Sequence, residues 1–270
     1  MKTPKQEKKV KISTGVSSGA VIFGCAVVAF SFFYVICGDP SNFDEKGHPL
    51  DGNFFGTLYQ GGFVIPIVIT LLFTVISLSV ERFFALNKAR GKNSLPQFVF
   101  DVKKKLDAED MKGAKELCDV QKGAVANILN AALLRYEDVE KMTDKNNDEK
   151  ATIIQKEIEE ATALELPSME QNLPIIAAIS TLGTLFGLLG TVLGMIRSFA
   201  ALGQEGSPDS LALSIGIAEA LLNTATGIAT GALAIISYTF FSQKVQNITN
   251  AVDEVGFAIG QTYTKKHLSK

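Results

Sequence analysis

The sequence predicts an all-α integral membrane protein, with four transmembrane helices and long helices that extend into a cytoplasmic helical domain. The chain of 270 residues has a mean hydropathy of +0.21 and only 20% charged residues, which is typical of membrane proteins. Its apolar residues are concentrated in four runs, each long enough to cross a hydrocarbon core of roughly 30 Å, which takes about 20 helical residues.

The lysines and arginines define the orientation of these spans. They are frequent in the N-terminal tail, after the second run and in the C-terminal tail, whereas segment 38–60 has Lys46 alone among four acidic residues, and segment 202–210 has none. Positively charged loops stay on the cytoplasmic side. The pattern therefore predicts both termini in the cytoplasm and two segments on the outer side of the membrane.

This topology divides the chain into nine segments. They are a basic cytoplasmic tail (1–15), a first transmembrane helix (16–37), an outer loop (38–60), a second transmembrane helix (61–80), a cytoplasmic helical domain (81–171), a third transmembrane helix (172–201), a short outer loop (202–210), a fourth transmembrane helix (211–241) and a cytoplasmic tail (242–270).

The first span could instead be a cleaved signal peptide, because lysines precede it and residues 22–25, IFGC, loosely resemble a lipoprotein cleavage site. The apolar run continues beyond Cys25, however, so an uncleaved span is the preferred interpretation. Cys25, Cys37 and Cys118 fall in two membrane segments and one cytoplasmic segment, a distribution that argues against a disulfide framework.

The cytoplasmic segment has helical periodicity and no recognisable catalytic motif. Pro96 and Gly123 interrupt it, and beyond Asn146 only Pro167 precedes the third span, so we expect that membrane helix to extend far into the cytoplasm. The segment contains no phosphate-binding loop and no metal or nucleophile motif. We predict that the protein is not an enzyme and needs no cofactor or metal.

The third span carries two adjoining stripes on a helical wheel. Ser180, Thr184, Thr191 and Ser198 lie within about 40° of one another. The neighbouring stripe is built of glycines, which allow another membrane helix to approach closely. It consists of Gly183, Gly187, Gly190 and Gly194.

The fourth span gathers polar residues on one side, within about 60° of arc. They are Glu219, Asn223, Thr226, Thr230 and Ser237, with Gly227 and Gly231 beside them for helix packing and Thr224 further round. An ionisable group in lipid costs at least about 2.5 kcal/mol, so such a group is expected to face a bundle interior or an aqueous path. Glu219 therefore marks a proton path or, alternatively, pairs with a cation such as Arg197 of the third span or hydrogen-bonds a neighbouring hydroxyl. Arg197 itself is most simply interpreted as reaching towards the membrane surface.

Two longer motifs resemble the MotA/TolQ/ExbB proton-channel family, with the ExbB and TolQ branch closest. They are FGLLGTVLGMIRSF at 186–199 and GIAEALLNTATGI at 216–228, and the segment ERFFALNKAR at 81–90 agrees with the family's order of parts. The first span is an addition to the ExbB and TolQ pattern. The resemblance implies a multi-pass protein of the bacterial inner membrane, so that both outer loops are periplasmic.

The resemblance also implies partners and residue roles. It implies a homopentamer around a central pore that holds a dimer of a single-span partner, similar to ExbD or TolR, whose membrane aspartate exchanges protons. Thr191 and Thr224 correspond to the pore threonines and Glu219 to the family's glutamate. Thr184, Asn223, Thr226 and Thr230 form a secondary polar face. Asn223, Thr226 and Thr230 make the fourth span more polar than the family pattern, which keeps sodium open as an alternative to protons.

The expected function is that of a proton-channel subunit in a motor that uses the proton motive force. The motor would energise TonB-dependent outer-membrane transport or Tol-type envelope maintenance, through a protein similar to TonB or TolA. A MotA-like or gliding stator and a non-conducting membrane scaffold remain alternatives. Membrane lipids are expected contacts, and no nucleic-acid partner is predicted.

Overall fold

A computed structural model describes residues 17–45, 48–50, 52–202 and 210–268. The predicted basic tail 1–15 and most of the predicted loop 202–210 lie outside these residues, as do Lys46 and Asp51. Within the described residues the structure is helical, apart from one isolated bridge between Phe43 and Pro49. The chain divides into a membrane unit (17–84 and 172–243) and a helical unit (85–171 and 244–268).

Nine α-helices make up the described structure. They are α1 (Ser18–Ser31), α2 (Phe54–Gln60), α3 (Val64–Arg90), α4 (Leu95–Asp107), α5 (Met111–Gln121), α6 (Ala124–Glu140), α7 (Asn147–Glu170), α8 (Leu173–Leu202) and α9 (Ser210–Leu268).

Four helical stretches, which contain α1, α3, α8 and α9, are long and apolar enough to cross a membrane, as predicted. At about 1.5 Å per residue, the 59 residues of α9 reach much further than a hydrocarbon core of about 30 Å. Large apolar side chains are exposed along α8, among them Leu185, Leu188 and Ile196. Because so much exposed apolar surface is unusual in water, it belongs against lipid or other protein.

Two asparagines organise the connection between α1 and α2. The helix α1 continues as a π-helical turn, Phe32–Cys37, and the last carbonyl groups of a helix need partners outside it. The amide Nδ2 of Asn42 donates to the carbonyls of Ile36 (2.7 Å) and Cys37 (3.2 Å). Asn53 caps α2 by accepting from two backbone N–H groups, and its own amide donates to Asn42 Oδ1 at 3.0 Å. These bonds join the end of the first span to the start of α2.

The first span packs on the second through a small apolar core. Its buried members are Ala29, Phe33, Cys37, Leu58, Ile65 and Ile69. The Phe33 ring stacks on the Tyr59 ring of α2 with centroids 5.0 Å apart, and such aromatic pairs contribute about 0.5–1.5 kcal/mol beyond their buried area. Ala29, Phe33 and Cys37 of the first span therefore pack against α2 and the start of α3.

The third span does not continue uninterrupted into the polar segment that precedes it. The helices α7 and α8 are separated at Asn172, whose φ of 66° is left-handed, whereas Pro167 lies inside α7. Asparagine tolerates this conformation better than most residues. Its amide also donates to Glu81 Oε2 at 3.2 Å, and Glu81 forms an ion pair with the buried Arg82. Tertiary bonds to α3 therefore stabilise the interruption.

The helical unit is an amphipathic bundle with defined helix starts. The Asp110 carboxylate caps α5 by accepting from Gly113 N–H at 2.9 Å and pairs with Lys105 at 2.7 Å, and Asn146 with Glu149 forms a capping box at the start of α7. The core residues come from five helices, and they include Val102, Leu106, Cys118, Leu129, Leu133, Tyr136, Ile154, Val255 and Ile259.

Cys118 gives a first test of this bundle. Burial raises the pKa of its thiol from about 9 to about 12, with a smaller contribution from Asp119. Only about one molecule in ten thousand would then carry the reactive thiolate at pH 8. We expect Cys118 to resist alkylation by iodoacetamide at pH 8 until the bundle is unfolded. Mass spectrometry of native and denatured samples checks this result, and rapid native alkylation would contradict the burial.

Candidate functional site

Glycines bring the backbones of α8 and α9 into direct contact. A Cβ atom added at Gly187 would lie 2.8 Å from the Asn223 carbonyl oxygen and 3.0 Å from Gly227 Cα, and one at Gly183 would lie 3.2 Å from the Gly227 carbonyl oxygen. Such contacts leave no room for side chains and provide packing energy where no hydrophobic drive exists. The predicted packing glycines at 190, 194 and 231 are also in close contact with the opposite helix.

We call the contact between α8 and α9 at Gly183, Gly187 and Gly227 the α8–α9 seam. Thr191 and Thr224 meet along it. Their hydroxyl groups are hydrogen-bonded to each other across the two helices. The Thr191 hydroxyl also lies 3.3 Å from the Gly187 carbonyl and 3.2 Å from the Ala220 carbonyl. A hydroxyl donates one proton and accepts at its lone pairs, so the pair can exchange hydrogen-bond partners without moving either helix.

Glu219 forms an ion pair with Arg197 between the same two helices. The nitrogen Nη1 of Arg197 donates to both carboxylate oxygens, at 2.6 Å and 2.7 Å. The Glu219 side chain is only 7% exposed, whereas that of Arg197 is 58% exposed. The arginine thus binds the carboxylate as well as reaching the surface, a pairing that the sequence left as an alternative.

Asn223 lies one helical turn from Glu219 and is fully buried. Its amide Nδ2 donates to the carbonyl of Gly61 at 2.8 Å and to that of Glu219 at 2.9 Å, while its Oδ1 has no partner among the described residues. The polar side of α9, for which the sequence left a bundle interior and an aqueous path open, is buried by the described residues at Glu219, Asn223 and Thr230.

The remaining residues of the predicted secondary polar face bond to their own helices. The hydroxyls of Thr184, Thr226 and Thr230 donate to the carbonyls of residues 180, 222 and 226, at 3.3, 2.9 and 2.9 Å. This local bonding is common for threonine in membrane helices. The structure therefore brings Thr191 to Thr224 and Glu219 to Arg197, but does not join these three threonines to either pair.

Sequence reasoning missed the turn at Gly61 and Gly62. Gly62 has a left-handed φ of 70°, and a Cβ atom there would collide with Glu219 Oε1 and lie 3.2 Å from Arg197 Nη1. A double glycine directly before an apolar run was the available signal, since it indicates an unusual turn or a close approach. Nothing in the local sequence indicated that the close approach is to residue 219.

Between α8 and α9, the described residues provide polar side chains but no metal centre. No group of three or more His, Cys, Asp or Glu side chains among them is arranged to hold a metal ion. What the seam offers is a carboxylate, an amide and two hydroxyls inside an apolar, membrane-spanning unit. Intramembrane ionisable and hydroxyl groups of this kind are typical of proton paths.

A sequence profile of the MotA/TolQ/ExbB proton channel family matches residues 121–254, a range that contains Thr191, Arg197, Glu219 and Thr224. The chain belongs to the MotA/TolQ/ExbB proton channel family. It is therefore a multi-pass transport protein rather than an enzyme.

Individual relatives place the chain near ExbB and TolQ. The Tol-Pal system protein TolQ of Haemophilus influenzae is 33% identical over 94 residues, which are 33% of this chain and 41% of TolQ. The putative biopolymer transport protein ExbB homolog of Methanothermobacter thermautotrophicus is 27% identical over 212 residues, 75% of this chain and 68% of the homolog. The biopolymer transport protein ExbB of Salmonella typhimurium is 24% identical over 156 residues, 57% of this chain and 64% of ExbB. The matches thus cover less than two thirds of TolQ and of the Salmonella ExbB.

Proposed function

We propose that the chain is the proton-channel subunit of a bacterial inner-membrane motor of the ExbB–ExbD or TolQ–TolR type. The motor converts the proton motive force into mechanical work for TonB-dependent outer-membrane transport or Tol-type envelope maintenance. The observation that carries this proposal is the occurrence of the Thr191–Thr224 hydroxyl pair and the buried Glu219 carboxylate on the same two spans, which the family profile also covers. A helix pair that serves only packing has no need of a buried carboxylate between its helices.

The proposal includes partners and an arrangement. The subunit forms a homopentamer around a central pore, with both termini in the cytoplasm, and holds a dimer of a single-span ExbD- or TolR-like protein. A membrane aspartate of that partner exchanges protons next to Thr191 and Thr224. Work reaches the envelope through a TonB- or TolA-like protein, and sodium is the alternative coupling ion.

A non-conducting scaffold is the second candidate. The Glu219–Arg197 pair and the two hydrogen bonds of the Asn223 amide favour it, because they satisfy most of these polar groups inside one protomer. Packing glycines along α8 and α9 serve a scaffold equally well. The two candidates therefore differ in whether proton flux depends on the hydroxyls and the carboxylate.

The deciding experiment is native mass spectrometry of the protein purified from its own membranes in mild detergent. We expect a pentamer that carries a dimer of a single-span protein with a membrane aspartate. An unrelated multi-pass protein, purified in parallel, identifies adventitious companions. A complex that is reproducibly free of such a partner would favour the scaffold.

A further inference from the structure

The turn between α2 and α3 is held firmly by its own backbone. The N–H of Gly61 donates to the carbonyl of Leu58 at 3.1 Å, and that of Gly62 donates to the carbonyl of Tyr59 at 3.2 Å. The carbonyl of Gly62 in turn accepts from the N–H of Ile65 at 3.3 Å. The turn therefore moves with α2 and with the start of α3.

The same turn is bonded to the fourth span beside Glu219. The Gly61 carbonyl accepts from Asn223 Nδ2 at 2.8 Å, and the same nitrogen donates to the Glu219 carbonyl at 2.9 Å. Both bonds are buried, where hydrogen bonds are stronger than in water. The Asn223 amide thus links the turn to the residue that bears the carboxylate.

The Glu219–Arg197 pair occupies the space that a side chain on Gly62 would fill. A Cβ atom at Gly62 would collide with Glu219 Oε1, and it would lie 3.2 Å from both Glu219 Cδ and Arg197 Nη1. The left-handed φ of 70° directs that empty position towards the pair. The carboxylate is therefore enclosed by the guanidinium on one side and by bare backbone on the other.

We propose that Gly62 is a positioning residue, which, together with the Gly61 carbonyl, seats the Glu219 carboxylate on Arg197. A movement of α2 then shifts the carboxylate directly, so α2 controls the proposed ion path. This inference rests on the proposed function for its effect on proton flux. The geometric part, which is the position of the Glu219 carboxylate on Arg197, can be tested without measuring flux.

The chain offers a matched pair of glycine substitutions. Gly52 also has a left-handed φ, of 77°, but no atom lies within 4 Å of an added Cβ. Gly52→Ala and Gly62→Ala therefore bear the same backbone penalty, and only the second places a methyl group on the carboxylate. Any difference between the two variants reports the contact with Glu219 and Arg197.

The first measurement is chemical. The complex is treated with dicyclohexylcarbodiimide, and modification of Glu219 is followed by mass spectrometry, with Glu219→Gln as the blank. We expect Gly62→Ala to raise the modification rate about tenfold, as expected for loss of one charge-assisted contact, and Gly52→Ala to leave it unchanged. Equal rates in the two variants would overturn the inference, whether or not the complex conducts protons.

The second measurement is proton flux into liposomes that contain the purified complex. We expect Gly62→Ala to lower the flux about tenfold. In an Arg197→Gln background we expect it to lower the flux less than about twofold, because the ion pair is then absent. An equal loss in both backgrounds would assign Gly62 a purely structural role. Absence of flux in the wild-type complex would instead reject the proposed function. The labelling would still decide whether Gly62 positions the Glu219 carboxylate on Arg197.

A variant that fails to accumulate is also informative. If Gly62→Ala is degraded while Gly52→Ala is not, the double variant Gly62→Ala with Glu219→Ala removes the side chain that the methyl group meets. Recovery of the folded complex would support the inference. Continued loss would overturn it, because the collision would then lie elsewhere.

Discussion

Replacing Thr191 and Thr224 together by valine is expected to lower proton flux at least about a hundredfold, the contribution typical of a positioned proton-transfer group. The two hydroxyls bond to each other on the α8–α9 seam, and the Thr191 hydroxyl also reaches the carbonyls of Gly187 and Ala220. Valine keeps the branched shape and removes both hydroxyls. The measurement is flux into liposomes that contain the complex with its native partner.

The same double variant should still fold and assemble. Replacing both members of a hydrogen-bonded pair by apolar groups of similar shape changes stability by less than about 1 kcal/mol. Thr239→Val is the matched control, because the Thr239 hydroxyl is exposed and bonds only to its own helix, at the Ile235 carbonyl (2.8 Å). Flux retained in the double variant, with Thr239→Val at wild-type level, would exclude the hydroxyl pair from the proton path.

The four spans and the close contact of the last two could be predicted because they depend on local pattern. Long apolar runs specify membrane helices, and glycines spaced by four specify a face that another helix can approach. The structure adds which glycines touch, for example Gly187 against Gly227. It also joins the hydroxyls of Thr224 and Thr191 by a hydrogen bond. The helical wheel had separated Thr224 from the other polar residues of the fourth span.

The rest could not be predicted because it depends on contacts that are distant in sequence. The Gly61 carbonyl bonds to an asparagine 162 positions later. The partner of Glu219, Arg197, is 22 positions earlier on another helix, and the sequence offered this pairing only as one of its alternatives. Similarly, Pro167 is tolerated within α7, while the interruption falls at Asn172, whose amide reaches Glu81. Local propensity is a weak guide wherever such tertiary bonds compete with it.

The Glu219–Arg197 pair should respond asymmetrically to loss of either charge. Arg197→Gln leaves a carboxylate that is only 7% exposed without its cation, and removing one partner of a buried pair costs about 3 kcal/mol. Glu219→Gln leaves an arginine that is 58% exposed, which water can solvate, so its effect on stability should be small. Thermal unfolding of the two variants in the same detergent measures this difference, and equal midpoints would contradict it.

Glu219→Gln should have a large effect on proton flux although its effect on stability is small. We expect Glu219→Gln to lower flux at least about a hundredfold although the complex stays folded, because the amide cannot transfer a proton as the carboxylate does. The double variant Arg197→Gln with Glu219→Gln should regain stability without regaining flux, since it removes the uncompensated charge and the proton-transfer group together. Wild-type flux in Glu219→Gln would leave the carboxylate with a packing role alone and favour the scaffold. Loss of flux in a stable Glu219→Gln complex would mean that the structure tolerates a buried carboxylate because proton transfer requires it, with Arg197 as the cation that makes its burial possible.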